Sequence, residues 1–236
     1  MKPKRPSSLL YLGAALLIAG ATLGLLRLAE SASDPAAKSW AGESWKSGGS
    51  PAWTTGAYDA ETNTLFWGTS NPWPDYNDDF RKGDNLYSCS VLALDPDTGK
   101  LKWHFQFTPH DLHDWDSTQI PILLDTQFRG ANTKALAWAN RNGFYYLIDR
   151  TTGNSLPEII TGIDPDVVFL SDRSVVYVAQ DPITLLGNRV MRHIPGSKAD
   201  SDQLLYQEED DKYSISVERS RSGRFVFVQL HSTLTS

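Results

Sequence analysis

Ala93-Leu-Asp-Pro-Asp-Thr-Gly-Lys-Leu-Lys-Trp103 reads as the end of one strand, a tight turn and the next strand. Asp95 suits the turn because its carboxylate accepts from the amides that follow it, and Gly99 because glycine takes positive φ without steric cost. The unit recurs. Leu147-Ile-Asp-Arg-Thr-Thr-Gly-Asn-Ser-Leu156 sets Asp149 and Gly153 at the same spacing, and Asp59 precedes a turn that leads to Trp67. From Trp45 to Gly153 short aromatic and aliphatic runs alternate with Gly, Pro, Asn and Asp clusters, the pattern of short strands joined by tight turns. A repeated hairpin with an aromatic residue at a set offset is the sequence form of a propeller blade. The expected class is all-β, built of antiparallel blades.

Several blocks in this stretch carry a family resemblance: WKSGGSPAWTTGAYD, LFWGTSNPWPDYN, KGDNLY, the turn unit at Ala93 to Trp103, FTPHDLHDWD and ANRNGFYYLIDRTTG. Roughly the central half of the chain resembles the pyrroloquinoline quinone (PQQ)-dependent alcohol dehydrogenases, which are quinoprotein propellers. The resemblance implies a PQQ cofactor, a catalytic Ca2+ and a small alcohol as substrate. It places Trp53 on the quinone face and Arg141 on the quinone oxygens. Asn71, in the Gly-Thr-Ser-Asn-Pro block, becomes a metal ligand through its amide oxygen, with Ser70 standing where the family has glycine. Asp114, aligned through Thr108-Pro-His-Asp111, becomes the base that takes the alcohol proton, with Asp116 as its near neighbour. A carboxylate suits that task, and a hard cation polarises the accepting carbonyl.

On residue type alone the same positions have plainer readings. Trp53 is core packing, Asn71-Pro72 a turn, the Asp-rich block a capped turn and Arg141 a surface charge. His110, Asp111, His113, Asp114 and Asp116 are suitable transition-metal ligands, but they lack the His-Glu-x-x-His spacing and Trp115 interrupts them.

Beyond Gly153 a second resemblance takes over, carried by VVYVAQDP, VMRHIPG, LLYQEEDDKY and SRSGRFVFV. These blocks resemble the N-terminal propeller of oligopeptidase B, a prolyl oligopeptidase relative. The segment reads as six short strands, VVFL, SVVYVA, RVMRHI, LLYQ, YSISVER and FVFVQL, with turns at Ser171 to Ser174, Gly196 to Asp202 and Arg221 to Gly223. The serine, aspartate and histidine of that family lie in a hydrolase domain, and no Gly-x-Ser-x-Gly elbow occurs in this sequence. The acidic run Glu208 to Asp211 reads as a solvated loop.

The opening residues Lys2, Lys4 and Arg5 precede an uncharged apolar run from Leu9 to Leu26, at the border between a signal-peptide core and a membrane anchor. Small residues from Ala29 to Ala32 offer a cleavage site. The expected order is a signal peptide or anchor over 1–32, a linker over 33–50, a quinoprotein propeller fragment over 51–153 and an oligopeptidase B-type fragment over 154–236. The expected location is exported, periplasmic or anchored in the inner membrane.

Among 236 residues, 22 basic and 28 acidic side chains give a formal charge of -6, which argues against nucleic acid as a partner. Ser47 to Ser50 is glycine-rich but lacks the Gly-Lys-Ser/Thr of a phosphate-binding loop. The single cysteine, Cys89, forms no intramolecular disulfide and reads as a buried strand residue. The functional expectation is PQQ- and calcium-dependent alcohol oxidation by a fused, incomplete pair of propellers. The alternatives are a non-catalytic scaffold, or a peptidase gating propeller with a partner hydrolase chain. Because one metal ligand alone is recognisable, the isolated chain is expected to bind quinone weakly.

Overall fold

The computed structural model describes residues 34–232. The proposed signal or anchor segment lies outside them, and no described helix is long and apolar enough to cross a membrane. The described chain is almost entirely strand. Two compact units divide between Ile120 and Pro121.

The first unit holds one four-stranded antiparallel sheet in simple up-and-down order: β1 (Ala57–Asp59), β2 (Thr64–Gly68), β3 (Ser90–Leu94) and β4 (Leu101–Gln106). β2 and β3 are the inner strands, and β3 is buried at all its positions. The β3–β4 turn forms as its residues require. Asp95 accepts from the amides of Asp97 at 3.0 Å and Thr98 at 2.9 Å, and Gly99 sits at φ 71°. The β1–β2 turn uses Asp59 in the same way toward the Glu61 amide at 3.0 Å, with Asn63 at φ 46°. Phe66, next to the Trp67 that follows the Asp59 turn, is the residue whose ring meets Trp103, at 5.5 Å.

The first part of the segment expected to be a linker, through Trp40, is packed. A short helix α1 (Pro35–Lys38) buries Ala36 and Ala37, and Trp40 is buried beside it. Trp40 Nε1 donates to the Leu86 carbonyl at 2.6 Å, and the Asn85 amide donates to the Ser39 carbonyl at 3.0 Å. One large indole and two alanines bury this segment without the periodicity that marks a longer amphipathic helix. A turn of 3-10 helix (Ser44–Ser47) follows. Gly49 then runs so close to the next loop that a Cβ on it would stand 2.8 Å from the Trp73 amide nitrogen.

The second unit contains two further four-stranded meanders. One is β5 (Ile122–Phe128), β6 (Ala131–Asn140), β7 (Phe144–Asp149) and β8 (Ser155–Thr161). The other is β9 (Ile163–Phe169), β10 (Val175–Gln180), β11 (Gly187–His193) and β12 (Gln203–Gln207). A two-stranded pair, β13 (Tyr213–Arg219) with β14 (Val226–Ser232), closes the order. The six strands expected beyond Gly153 are matched by β9 to β14.

The fragment boundary expected between residues 153 and 154 falls within the turn that joins β7 to β8, two paired strands of one sheet. Side chains from both sides of it share a core. Phe128, Ala135, Ala137, Tyr145, Leu147 and Ile160 pack with Ile163, Val175 and Tyr177. The opposite face of β10, Val176 and Val178, packs with Ile215 and Val217 of β13. The strand period of two thus gives β10 an apolar partner on each face. That explains the division at 120/121: burial on both faces ties the sheets on either side of 153 into one unit.

Candidate functional site

Three backbone segments of the first unit converge near the end of β2. The amide of Ser70 donates to the Pro51 carbonyl at 3.0 Å, and the amide of Ser50 donates to the Asn71 carbonyl at 2.9 Å. On the other side the Ser117 amide donates to the Thr69 carbonyl at 3.1 Å. The hydroxyl of Thr54 donates to the Thr118 carbonyl, which joins the two outer segments. Residues 69–71 therefore lie between the segment that carries Trp53 and the segment that carries Asp116.

Trp53 is 62% exposed, so it is not core packing. Held between the Pro51 and Thr54 contacts, its indole offers an aromatic face suited to stacking on a planar ligand. Asn71 is half-buried and oriented by its amide group. Nδ2 donates to Asp75 Oδ1 at 2.6 Å and to the Pro72 carbonyl at 3.2 Å, which fixes where Oδ1 points. A second carboxylate, Asp116, meets Asn71 from the backbone side: it is buried and accepts from the Asn71 backbone amide at 3.1 Å through Oδ1. Ser70 Oγ hydrogen-bonds that same Oδ1 and lies 2.9 Å from Asn71 Oδ1.

The neighbouring aspartates have different tasks. Asp111 is buried and caps its own loop, accepting from the amides of His113 at 3.1 Å and Trp115 at 3.0 Å. Asp114 is half-buried on the same loop, at φ 61°. His113 stacks on Trp115 at 4.3 Å, and His110 bridges the Gly83 carbonyl at 2.7 Å and Asp78 Oδ2 at 2.9 Å. The histidines are thus engaged by rings and loops rather than turned together. Among the described residues no group of three or more His, Cys, Asp or Glu is placed to hold a metal. Arg141 belongs to the second unit, exposed just after β6.

Sequence reasoning missed Arg81. It is completely buried and donates Nε to the Pro74 carbonyl at 2.9 Å, Nη1 to Asn85 Oδ1 at 2.8 Å, and Nη2 to the carbonyls of Asp75 at 3.1 Å and Asp111 at 2.7 Å. One guanidinium thus ties the loop after Asn71 to the loop that carries Asp114 and Asp116. Burial pulls its pKa down, against the pull of the Asp111 carboxylate. Nothing in the Arg-Lys pair at 81–82 marks one as core and the other as surface. Cys89, also fully buried, has its thiol pushed up by burial, with the Asp111 and Asp116 carboxylates adding to the effect.

The donors at this point suit a hard, oxygen-seeking cation in type: an amide oxygen and a carboxylate, with no thiolate or imidazole among them. Two buried hydroxyl oxygens on the flanking segments, Ser50 Oγ and Ser117 Oγ, have no hydrogen-bond partner, which fits a polar ligand at this place. In number the two groups are part of a set, since calcium takes about six to eight oxygens.

Comparison with known proteins agrees with both resemblances. Residues 28–166 match the family model for the glucose/ethanol/alcohol dehydrogenase β-propeller domain of the PQQ type. Residues 147–236 match the model for the prolyl oligopeptidase N-terminal β-propeller domain. A quinoprotein alcohol dehydrogenase, PedH of Pseudomonas putida, is 52% identical over 118 residues, covering 50% of this chain and 20% of that protein. A lanthanide-dependent methanol dehydrogenase of Methylacidiphilum fumariolicum is 44% identical over 117 residues, covering 49% of this chain and 19% of that protein. The solved structure of a europium-containing methanol dehydrogenase superposes with a TM-score of 0.56 at 28% identity, covering 83% of this chain and 42% of the other. The chain spans about a fifth of the length of the curated relatives it matches.

Proposed function

Because the chain belongs to the PQQ family of glucose/ethanol/alcohol dehydrogenase β-propeller domains, we propose that its first unit carries part of a quinone and metal site for alcohol oxidation. The observation that carries this reading is the convergence of residues 50–54, 69–71 and 116–118, which sets an exposed indole, an oriented amide oxygen and a buried carboxylate on adjoining segments. Asn71 and Asp116 would hold the cation, which is of the Ca2+ or trivalent lanthanide kind; a buried carboxylate beside the amide oxygen favours high positive charge. Trp53 would stack on the face of the quinone. Asp114 takes the hydroxyl proton of the alcohol. When bound, the quinone supplies the hydride acceptor and the cation the polarisation of its carbonyl. Export to the periplasm, directed by the N-terminal basic and apolar segment, belongs to the same reading.

A second reading is a propeller scaffold that binds without turnover. It is supported by the small number of metal donors among the described residues. One experiment separates the two. The full chain is mixed with PQQ and with Ca2+ or La3+, dialysed, and examined for retained quinone and metal, then assayed by dye-linked alcohol oxidation. The dehydrogenase reading expects quinone and metal to be retained together, both to be lost in Asn71→Ala, and turnover to fall about a hundredfold or more in Asp114→Asn. Retention with no turnover above the Asp114→Asn background establishes the scaffold. Loss of both ligands from the unmodified chain removes the site altogether.

A further inference from the structure

Ser70 is held by its backbone independently of its side chain. Its amide donates to the Pro51 carbonyl at 3.0 Å and its carbonyl accepts from the Cys89 amide at 2.8 Å. The side chain, 2% exposed, is therefore carried to a fixed point between Asn71 Oδ1 and Asp116 Oδ1, within hydrogen-bond reach of both. One hydroxyl proton bridges the two oxygens that the proposed cation would use. Asp116 Oδ1 also accepts from the Asn71 amide, so both of its lone-pair directions are engaged by protein donors.

We propose that the Ser70 hydroxyl is an internal competitor for the metal, a latch that closes the Asn71–Asp116 pair when no cation is bound and must turn away for one to enter. This inference rests on the metal reading of Asn71 and Asp116 given above. The physical argument is one of linkage. A hydrogen bond that exists only in the metal-free state stabilises that state and weakens binding by the same factor. A hydroxyl donating to a buried carboxylate is among the stronger side-chain hydrogen bonds, so the factor is large. A glycine at this position, as in the resembling family, has no such latch. The function of the serine is to set the cation concentration at which the site fills.

The test is calorimetric titration of the full chain with Ca2+ and separately with La3+. Four variants are compared with the unmodified chain: Ser70→Ala, Ser70→Gly, Ser70→Thr and Asn71→Ala. Removing the hydroxyl by Ser70→Ala or Ser70→Gly is expected to tighten Kd roughly tenfold or more. Ser70→Thr, which keeps the hydroxyl, is expected to bind as the unmodified chain does, and Asn71→Ala to bind more weakly. In chelator, Ser70→Ala is expected to melt below the unmodified chain, because the latch bond is present there. If Asn71→Ala weakens binding but Ser70→Ala and Ser70→Gly leave it unchanged or weaken it, the metal reading stands and the latch is overturned. If no form of the chain binds either cation, the metal reading fails and the latch with it.

Discussion

The amide of Leu185 donates to the carbonyl of Asp181 at 2.9 Å, and Leu185 stands at φ 60°. Asp181 Oδ1 accepts from the amides of Ile183 at 2.9 Å and Thr184 at 2.8 Å. Asp95 with Gly99 and Asp149 with Gly153 build the same turn, each glycine amide lying 2.8 Å from the aspartate carbonyl. The turn motif thus continues past the point where one family model gives way to the other. At Asp181 to Leu185 a leucine takes the place that the other two turns give to glycine.

An L-residue with a bulky side chain pays about 1–2 kcal/mol for the left-handed region, which glycine enters without that cost. Leu185 is 66% exposed, so little burial is lost with its side chain. Leu185→Gly is therefore expected to stabilise the second unit by about 1 kcal/mol, less what glycine's freer unfolded chain takes back. Urea denaturation measures it, and an unchanged or lowered midpoint would show that the leucine makes a compensating contact.

The same turns give an acid dependence with a definite sign. Asp95 is held below its ordinary 3.8 by the Thr98 amide, and Asp181 by the amides of Thr184 and Ile183. A carboxyl lowered in the folded state contributes stability above its unfolded pKa, and that contribution is lost as pH falls through the folded value. The melting temperature should fall as pH drops below about 4, the ordinary aspartate range. Asp95→Asn with Asp181→Asn, which keeps an accepting oxygen in each turn, should lose less over that window. A double variant as acid-sensitive as the unmodified chain would place the sensitivity elsewhere.

Much of this architecture is legible because its signals are local. Asp at the start of a turn, Gly four residues on and alternating apolar strands each act over a few residues, and β9 to β14 could be read from such signals, although β8 (Ser155–Thr161) was not. The structural division at 120/121 was not legible, because it depends on which faces of β8, β9 and β10 bury against each other. At the site, Asp111, Asp114 and Asp116 are alike as residue types. What separates them is geometry: Asp111 turns back to cap its loop, while Asp116 reaches Asn71 across 45 residues. Arg81 was invisible for a related reason, since it is buried by a loop that folds back around it, with acceptors at Pro74, Asp75 and Asn85, and by the Asp111 carbonyl 30 residues away.

In the second unit a buried carboxylate is satisfied from two sides. Asp202 accepts from the Tyr177 hydroxyl at 2.8 Å through Oδ2 and faces His193 Nδ1 at 2.7 Å through Oδ1, with the histidine and aspartate side chains wholly inaccessible. Burial, with Asp202 adding, pushes the Tyr177 phenol up, so it stays protonated and donates. Tyr177→Phe removes the donor, keeps the ring in its apolar core and leaves a buried carboxylate oxygen short of a partner. The expected cost is about 1–3 kcal/mol in urea denaturation. A cost near zero would mean that Asp202 finds another donor once the hydroxyl is gone.

Cys89 gives a chemical readout of the first unit's integrity. Its thiol is completely buried and pushed up by that burial, so the folded chain should react with iodoacetamide only through opening. Arg81 is the side chain whose loss should open it most readily, because its guanidinium satisfies three carbonyls and the Asn85 amide oxygen at once. Lysine keeps the charge but cannot reproduce that planar fork. Arg81→Lys leaves several buried acceptors unpaired and an ammonium buried with poor geometry, a loss of about 3 kcal/mol or more. Where closing outpaces the reagent, labelling follows the opening equilibrium, so that loss corresponds to a rate increase of roughly a hundredfold. Mild urea should accelerate labelling of the unmodified chain toward the same rate. If Arg81→Lys labels as slowly as the unmodified chain, the guanidinium is not what holds the loops of residues 74–85 and 111–116 together, and the position of Asp116 against Asn71 must rest on the backbone bonds of residues 69–71 and on the Ser70 and Thr54 hydroxyls.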